Sequence, residues 1–205
     1  MFPITILHTA LYCLSFSGLY YVGVCLLTKR VQKIEAAKLL YYVTLFSLFG
    51  VAGEIVVNNL YVYFFHTQLW QYQLFPAHHG DVSYFFLGIW GALGFYKYIN
   101  DTALHRLTPE QRFVPGLLMG AEAVILEIFY NGFFLALFGS YIFYYLPDNL
   151  GLFSHLSCLQ VIPFYFMVGL CVSRLIHQQE KAGYGRNLLM TLPFFWMIIA
   201  ALILF

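Results

Sequence analysis

The fold is decided by the stretch LLYYVTLFSLFGVAGEIVVNNLYVYFF, residues 39–65, in which Glu54 is the only Asp, Glu, Lys or Arg. About 20 consecutive apolar residues are enough for a helix to cross the hydrocarbon core of a membrane. Lys38 comes immediately before the stretch, and the segment 66–81 that follows it contains no Lys or Arg. The stretch therefore predicts a membrane-spanning helix with positive charge at one end only.

Long apolar runs of this kind recur along the whole chain. The predicted spans are 3–27, 39–65, 82–98, 113–139, 154–176 and 187–205. Their alternation places all ten Lys and Arg residues on one side, in three clusters: Lys29, Arg30, Lys33 and Lys38; Lys97, Arg106 and Arg112; Arg174, Lys181 and Arg186. Because cytoplasmic loops carry the excess of Lys and Arg, both termini are predicted to lie on the non-cytoplasmic side of the membrane.

The composition also indicates that lipid surrounds the protein. The chain has 205 residues, of which 61% are apolar and 9% are charged, whereas soluble domains carry about 25% charged residues. The apolar runs lack the alternation of barrel strands, so the predicted fold class is all-α, a single polytopic domain (1–205) of six transmembrane helices. The basic clusters are short, so the expected partner is the lipid bilayer and no nucleic acid. Oligomeric state is left open, with a homo-oligomer as one option.

Two spans share a short motif. Residues 53–58 read GEIVVN and residues 126–131 read LEIFYN, so that Glu127 lies 73 positions after Glu54. Each motif is followed by an aromatic segment. Because spans two and four cross in the same direction, a repeat would be parallel, relating spans 2–3 to spans 4–5 about an axis along the membrane normal. The sequence leaves duplication and chance as alternatives.

Glu54 and Glu127 are the predicted catalytic residues. An ionisable side chain in a membrane helix normally faces the bundle interior or a wet cavity, because its exposure to lipid is costly. Asn58 and Asn131 each follow their glutamate by four residues and so share its helix face, which predicts an orienting, substrate-binding role. The alternative for each glutamate is a protonated side chain with one interhelical hydrogen bond. Glu122 points to another face, and its role is left open.

The segments without Lys or Arg supply further candidate substrate-binding residues. These are Trp70, Tyr72, His79, Asp81, Tyr144 and His155. An interfacial belt explains most of the aromatic residues, since Trp and Tyr favour headgroup depth. His79, Asp81, His155 and the two glutamates are residue types that can bind a metal, but their spacing matches no standard ligand pattern. The four cysteines form no CxxC pair. No metal or other cofactor is therefore predicted.

Two carboxyls in one buried cavity favour a neutral acid beside a base, because desolvation and mutual repulsion oppose two charges. Such a pair suits acid–base chemistry on a lipid or isoprenoid substrate that enters from the outer half of the membrane. It suits a small proton-coupled carrier equally well. A non-catalytic subunit that binds a partner through its aromatic outer loops is the third hypothesis.

The paired carboxylates in a small, aromatic-rich bundle resemble the architecture of small membrane terpene and carotenoid cyclases. That resemblance implies an intramembrane acid that protonates an alkene or an epoxide. It rests on architecture alone and assigns no residue role.

Overall fold

The protein is mostly helical in the computed structural model, which describes residues 4–104, 113–147, 150–184 and 186–205, without the side chains of 104 and 186–191. The helices are α1 (Ile6–Thr28), α2 (Ala36–Phe65), α3 (Phe86–Leu104), α4 (Val114–Phe138), α5 (Ile162–Ala182) and α6 (Arg186–Leu204). The predicted helical character is confirmed.

In the described part of the chain, four helices are long and apolar enough to cross a membrane. They are α1, α2, α4 and the helix Leu159–Ala182, in which a 3-10 turn leads into α5. The predicted third and sixth spans are not confirmed at that length. The second half of α3 carries Lys97, Asn100 and Asp101, and the apolar part of α6 is the shorter Leu192–Leu204. The helices are compatible with an integral membrane protein, and six crossings stay a prediction.

The connections at the end without Lys or Arg contain short strands. They are β1 (Trp70–Tyr72), β2 (Pro76–Ala77), β3 (Val82–Ser83), β4 (Phe143–Tyr145), β5 (Gly151–Leu152) and β6 (Ser157–Cys158). The predicted spans begin at residues 82 and 154, but the helices α3 and α5 begin later, at Phe86 and Ile162. Strand β1 alternates buried Trp70, exposed Gln71 and buried Tyr72, which is the period of a strand and not of a helix.

Strands β1 and β4 pair antiparallel and join the two halves of the chain. Trp70 lies opposite Tyr145, Gln71 opposite Tyr144, and Tyr72 opposite Phe143. We call this pair the β1–β4 ribbon. Strands β2 and β3 form one separate hairpin, and β5 and β6 form another. The ribbon therefore connects the α2–α3 half to the α4–α5 half at one end of the bundle.

Two glycines let the helices approach closely. A Cβ added at Gly94 of α3 would lie 2.9 Å from the carbonyl oxygen of Tyr42 in α2. A Cβ added at Gly169 of α5 would lie 2.9 Å from the carbonyl oxygen of Pro115 in α4. Backbone atoms cannot move aside as flexible side chains can, so both helix pairs require glycine at these positions.

The two ends of the bundle differ in character. At the ribbon end, the His8 ring packs against Phe138, and Nε2 of His78 lies 2.6 Å from the carbonyl oxygen of Leu202. Both terminal helices thus begin or end near the ribbon. At the opposite end, which we call the basic end, Lys38 pairs with Glu180 at 2.6 Å.

Arg106 and Arg112 lie outside the described residues. Which side of a membrane each end faces stays a prediction, including the non-cytoplasmic position of the two termini.

Candidate functional site

The structure brings Glu54 and Glu127 into one cavity. The cavity contains about 840 Å³ of space free of protein atoms, including its opening, and is lined by α1 to α5 and by the β1–β4 ribbon. Of its 21 described lining residues twelve are aromatic, and the two glutamates are the only Asp or Glu residues among them. The site is therefore an aromatic chamber with two carboxyl groups.

Glu54 is buried and only partly hydrogen-bonded. Its Oε1 accepts a hydrogen bond from the Tyr72 hydroxyl, and its side chain is 6% exposed. Its Oε2 has no hydrogen-bond partner among the residues that the structure describes. The indole of Trp90 lies close enough to interact with this carboxyl group, but its Nε1–H makes no hydrogen bond of normal geometry. Glu54 therefore has one carboxyl oxygen without a hydrogen bond of normal geometry, with the Trp90 indole beside it.

Glu127 is hydrogen-bonded on both oxygens. Its Oε1 accepts from the Tyr145 hydroxyl at 2.8 Å and from the Tyr165 hydroxyl, and its Oε2 accepts from the Ser157 hydroxyl. An ionised carboxylate is only an acceptor, so three donors suit the ionised form. The two carboxyl groups of the cavity thus have unequal hydrogen-bonding environments.

Asn58 and Asn131 hold the ribbon and not the glutamates. Oδ1 of Asn58 accepts the Leu69 N–H at 2.8 Å, and its Nδ2 donates to the Trp70 carbonyl oxygen at 3.1 Å. Asn131 makes the same pair of bonds: Oδ1 accepts the Ile142 N–H at 2.8 Å, and Nδ2 donates to the Phe143 carbonyl oxygen at 2.7 Å. Each asparagine therefore fixes one strand of the ribbon.

The two carboxyl sites have the same local construction. Each glutamate accepts from a ribbon tyrosine 18 residues later, Tyr72 for Glu54 and Tyr145 for Glu127. Each asparagine fixes the strand that carries that tyrosine. The ribbon positions the two tyrosines, and the tyrosines position the two carboxyl groups.

The remaining predicted residues divide into three groups. Trp70 lines the cavity, whereas Asp81 supports the ribbon, since it accepts from Asn58 Nδ2 at 2.7 Å. The main-chain oxygen of Asp81 also accepts from the Trp70 indole at 2.9 Å. His79, Tyr144 and His155 do not line the cavity. His79 is exposed, and the Tyr144 and His155 rings stack on each other at 4.5 Å.

Four residues beside the two carboxyl groups were not predicted: Trp90, Tyr145, Ser157 and Tyr165. Tyr145 carried a usable signal, because it follows Glu127 by the same 18 positions that separate Tyr72 from Glu54. Trp90 and Tyr165 belong to the buried faces of α3 and α5, where an aromatic residue is ordinary. Nothing in the sequence distinguishes those two from core residues.

Among the described residues, no group of three or more His, Cys, Asp or Glu side chains is placed to hold a metal ion. The candidate metal ligands are far from forming one group: the two glutamates line the cavity, Asp81 supports the ribbon, and His79 and His155 lie outside the cavity.

In comparisons with known proteins, no family model matches the chain, and neither a curated protein nor a solved structure matches it. The case for a function therefore depends on the chemistry of the cavity.

Proposed function

We propose that the protein is an intramembrane enzyme that performs acid–base chemistry on a lipid or isoprenoid substrate, with Glu54 and Glu127 as its catalytic residues. One observation carries the proposal: the buried carboxyl group of Glu54 and the half-buried carboxyl group of Glu127, with unequal hydrogen bonding, share a largely aromatic cavity. An acid and a base held apart in environments of this kind are the usual arrangement of acid–base enzymes.

Glu54 is the acid in this proposal. A proton on its Oε2 has no carbonyl or carboxylate acceptor among the described residues, so it is available to a substrate. Protonation of a substrate double bond forms a C–H bond and leaves a carbocation. Glu127, whose three hydroxyl donors suit the anion, then removes a proton from a neighbouring carbon. The double bond is restored at a new position, and no oxidant, reductant or cofactor is consumed.

The aromatic lining suits such an intermediate. Ring faces attract a positive charge, by about 0.5–2 kcal/mol for each well-placed ring. The described lining contains no Lys, Arg or His side chain that would repel a cation. It also offers few groups to hold water, which would trap a cation as an alcohol.

The substrate would enter from the side of the bundle. The ribbon covers one end of the cavity, so entry straight through that end is unfavourable. Near the ribbon, α1 and α4 are joined, since the Tyr12 hydroxyl donates to the carbonyl oxygen of Tyr130. Further from the ribbon, Ser17 of α1 and Ala123 of α4 line the cavity. Small residues on both helices there favour entry between them from the lipid.

We also propose that the two halves are a parallel internal repeat in a six-span protein. The matched asparagine, tyrosine and glutamate bonds support this, as does the pairing of the ribbon. Gln71 and Tyr144, which are opposite each other, are 73 positions apart, like the glutamates. A two-fold axis between them would exchange the two halves.

An untargeted lipid profile tests the proposed function. Membranes containing the wild type, Glu54→Gln or Glu127→Gln at matched levels are compared, in a host that supplies isoprenoids. We expect a lipid species that changes in the wild type alone. Glu122→Gln on α4, outside the cavity lining, is the control and should behave as the wild type. Identical lipid profiles for the wild type and both cavity variants would contradict the proposal that the protein is an enzyme.

A proton-coupled carrier is the alternative that uses the same carboxyl groups. It would show solute flux that depends on a proton gradient, and it would form no new lipid. A carrier must open its site to both ends in turn, and the ribbon would then have to separate. The third hypothesis, a partner-binding subunit, is less favoured because Trp70 and Tyr72 point into the cavity and not outward.

A further inference from the structure

A row of buried polar groups follows α2 outside the cavity lining. Tyr41, Thr44, Ser47 and Gly50 succeed one another at intervals of three residues, so they form one continuous ridge that rises about 4.5 Å per step. Thr44 and Ser47 are completely buried, and Glu54 lies one turn beyond Gly50. The ridge therefore leads from the basic end of the bundle to the proposed acid.

Buried polar atoms without a hydrogen-bond partner concentrate along this ridge. In the described part of the chain, five such atoms lie here: the hydroxyls of Tyr184, Thr44 and Ser47, Nε1 of Trp90 and Oε2 of Glu54. Helical hydroxyls commonly bond to the carbonyl four residues earlier, as Thr28 and Thr102 do in this protein. Thr44 and Ser47 do not, and so remain available to water.

Trp90 lies between Ser47 and Glu54. Its ring covers Gly50, where an added Cβ would lie 2.0 Å from the ring. Gly50 is one turn after Ser47 and one turn before Glu54. Side chains of a helix tilt toward its N-terminus, so the Glu54 carboxyl reaches back toward this indole. The polar atoms of the ridge thus continue from Ser47 past Trp90 to Glu54.

The ridge begins next to a side chain that reaches solvent. The Tyr41 and Tyr184 rings are in contact at 5.9 Å between centroids. Beside them, Lys38 pairs with Glu180, whose side chain is 41% exposed. Water at the basic end therefore reaches the side chains beside the first hydroxyl of the row, which is itself buried.

We propose that this row holds a file of water molecules that conducts protons between the basic end and Glu54. Buried polar groups that the protein leaves unpaired are typically satisfied by such waters. The inference rests on the proposed function, in which Glu54 gives its proton to the substrate and must regain one.

The return of the proton changes only O–H bonds. In each cycle a proton enters from water near Tyr184, and the proton that Glu127 removed from the substrate is released to water that enters the cavity after the product leaves. Each water or hydroxyl along the row accepts one proton and passes another on, and the last is bound by Oε2 of Glu54. Trp90 orients water and carries no proton itself, because an indole nitrogen is only a donor.

The test is the rate at which the Glu54 carboxyl proton exchanges with D₂O, followed by infrared spectroscopy of the purified protein. Glu54→Gln identifies the carboxyl band. In the double variant Thr44→Val/Ser47→Ala, we expect exchange to slow by about tenfold or more, since two relay hydroxyls are lost. Thr102→Val is the matched control, because its hydroxyl already bonds to its own helix. Equal rates in the double variant and wild type would overturn the proposal.

A high-resolution structure of the wild type separates this proposal from the proposed function. Ordered waters on Thr44, Ser47 and Trp90 would support the proton path. Hydroxyls bonded to helix carbonyls, with no water beside them, would overturn it. If Glu54→Gln removes no infrared band of a protonated carboxyl group, Glu54 is not the acid and the proposed function is contradicted. The presence or absence of ordered waters along the row then tests the proton path independently.

Discussion

The two carboxyl groups of the cavity differ in the few hydrogen-bond donors that surround them, and the proposed chemistry depends on this difference. Glu54 has one hydroxyl donor and one oxygen without a hydrogen bond of normal geometry, whereas Glu127 has three hydroxyl donors. Both glutamates could be selected from the sequence because charge is rare in apolar spans. Their different environments could not, because Tyr165 and Ser157 are 38 and 30 positions from Glu127 and show no pattern that links them to it.

Removal of a single donor from Glu127 tests its role as base. Tyr165→Phe keeps the ring and the shape of the cavity but removes one of the three hydroxyl donors. We expect the glutamate-dependent conversion to fall by about tenfold, the usual effect of losing a hydrogen bond to a charged group. The measurement is the initial rate of lipid conversion in membranes. Tyr141→Phe is the control, since its hydroxyl bonds to the Ser154 carbonyl oxygen outside the cavity. Equal loss in both variants would contradict a specific role of Tyr165.

Asn58 is predicted to contribute more to the free energy of unfolding than the adjacent Asn59. Asn58→Ala would leave the Leu69 N–H and the Trp70 carbonyl group without their side-chain partner in a buried place. We expect a loss of roughly 2–4 kcal/mol in the free energy of unfolding. Asn59→Ala, at an exposed position, should change it by about 0.5 kcal/mol or less. Thermal unfolding in detergent compares them, and similar midpoints for the two variants would contradict the assigned role of Asn58.

At the scale of the elements, the helices were largely predictable and the ribbon was not. Long apolar runs fixed α2 and α4 to within a few residues, because a spanning helix must satisfy its own backbone. The ribbon depends on pairing between strands that are 73 residues apart in sequence. Its aromatic residues also fit an interfacial belt, so the sequence did not show that Trp70 and Tyr72 turn inward.

Helix contacts give a prediction at this scale. Gly94→Ala places a Cβ 2.9 Å from the backbone of α2, so we expect a loss of about 1–3 kcal/mol from overpacking. Gly18→Ala in α1 meets no atom within 4 Å and should be neutral or slightly stabilising, since alanine favours helix. The unfolding temperatures of both variants in detergent decide the matter. A Gly94→Ala protein as stable as the Gly18→Ala protein would show that the α2–α3 crossing is looser than described.

At the scale of the whole molecule, the ribbon end and the basic end should face opposite sides of a membrane. Positive charge at one end and two termini at the other predict both termini on the non-cytoplasmic side. Reporter enzymes that are active on one side only, fused to each terminus, measure this. Both fusions should report the non-cytoplasmic side. Termini on opposite sides would contradict six crossings.

Incorporation of deuterium from D₂O most directly measures whether the cavity transfers protons to and from a lipid. Isolated membranes containing the wild type or the double variant Glu54→Gln/Glu127→Gln are suspended in D₂O. The masses of all extracted lipids are then measured by mass spectrometry. We expect one lipid class that gains deuterium on carbon only when both glutamates are intact. Lipids that gain no deuterium, or gain it equally in both membranes, would contradict acid–base catalysis in this cavity.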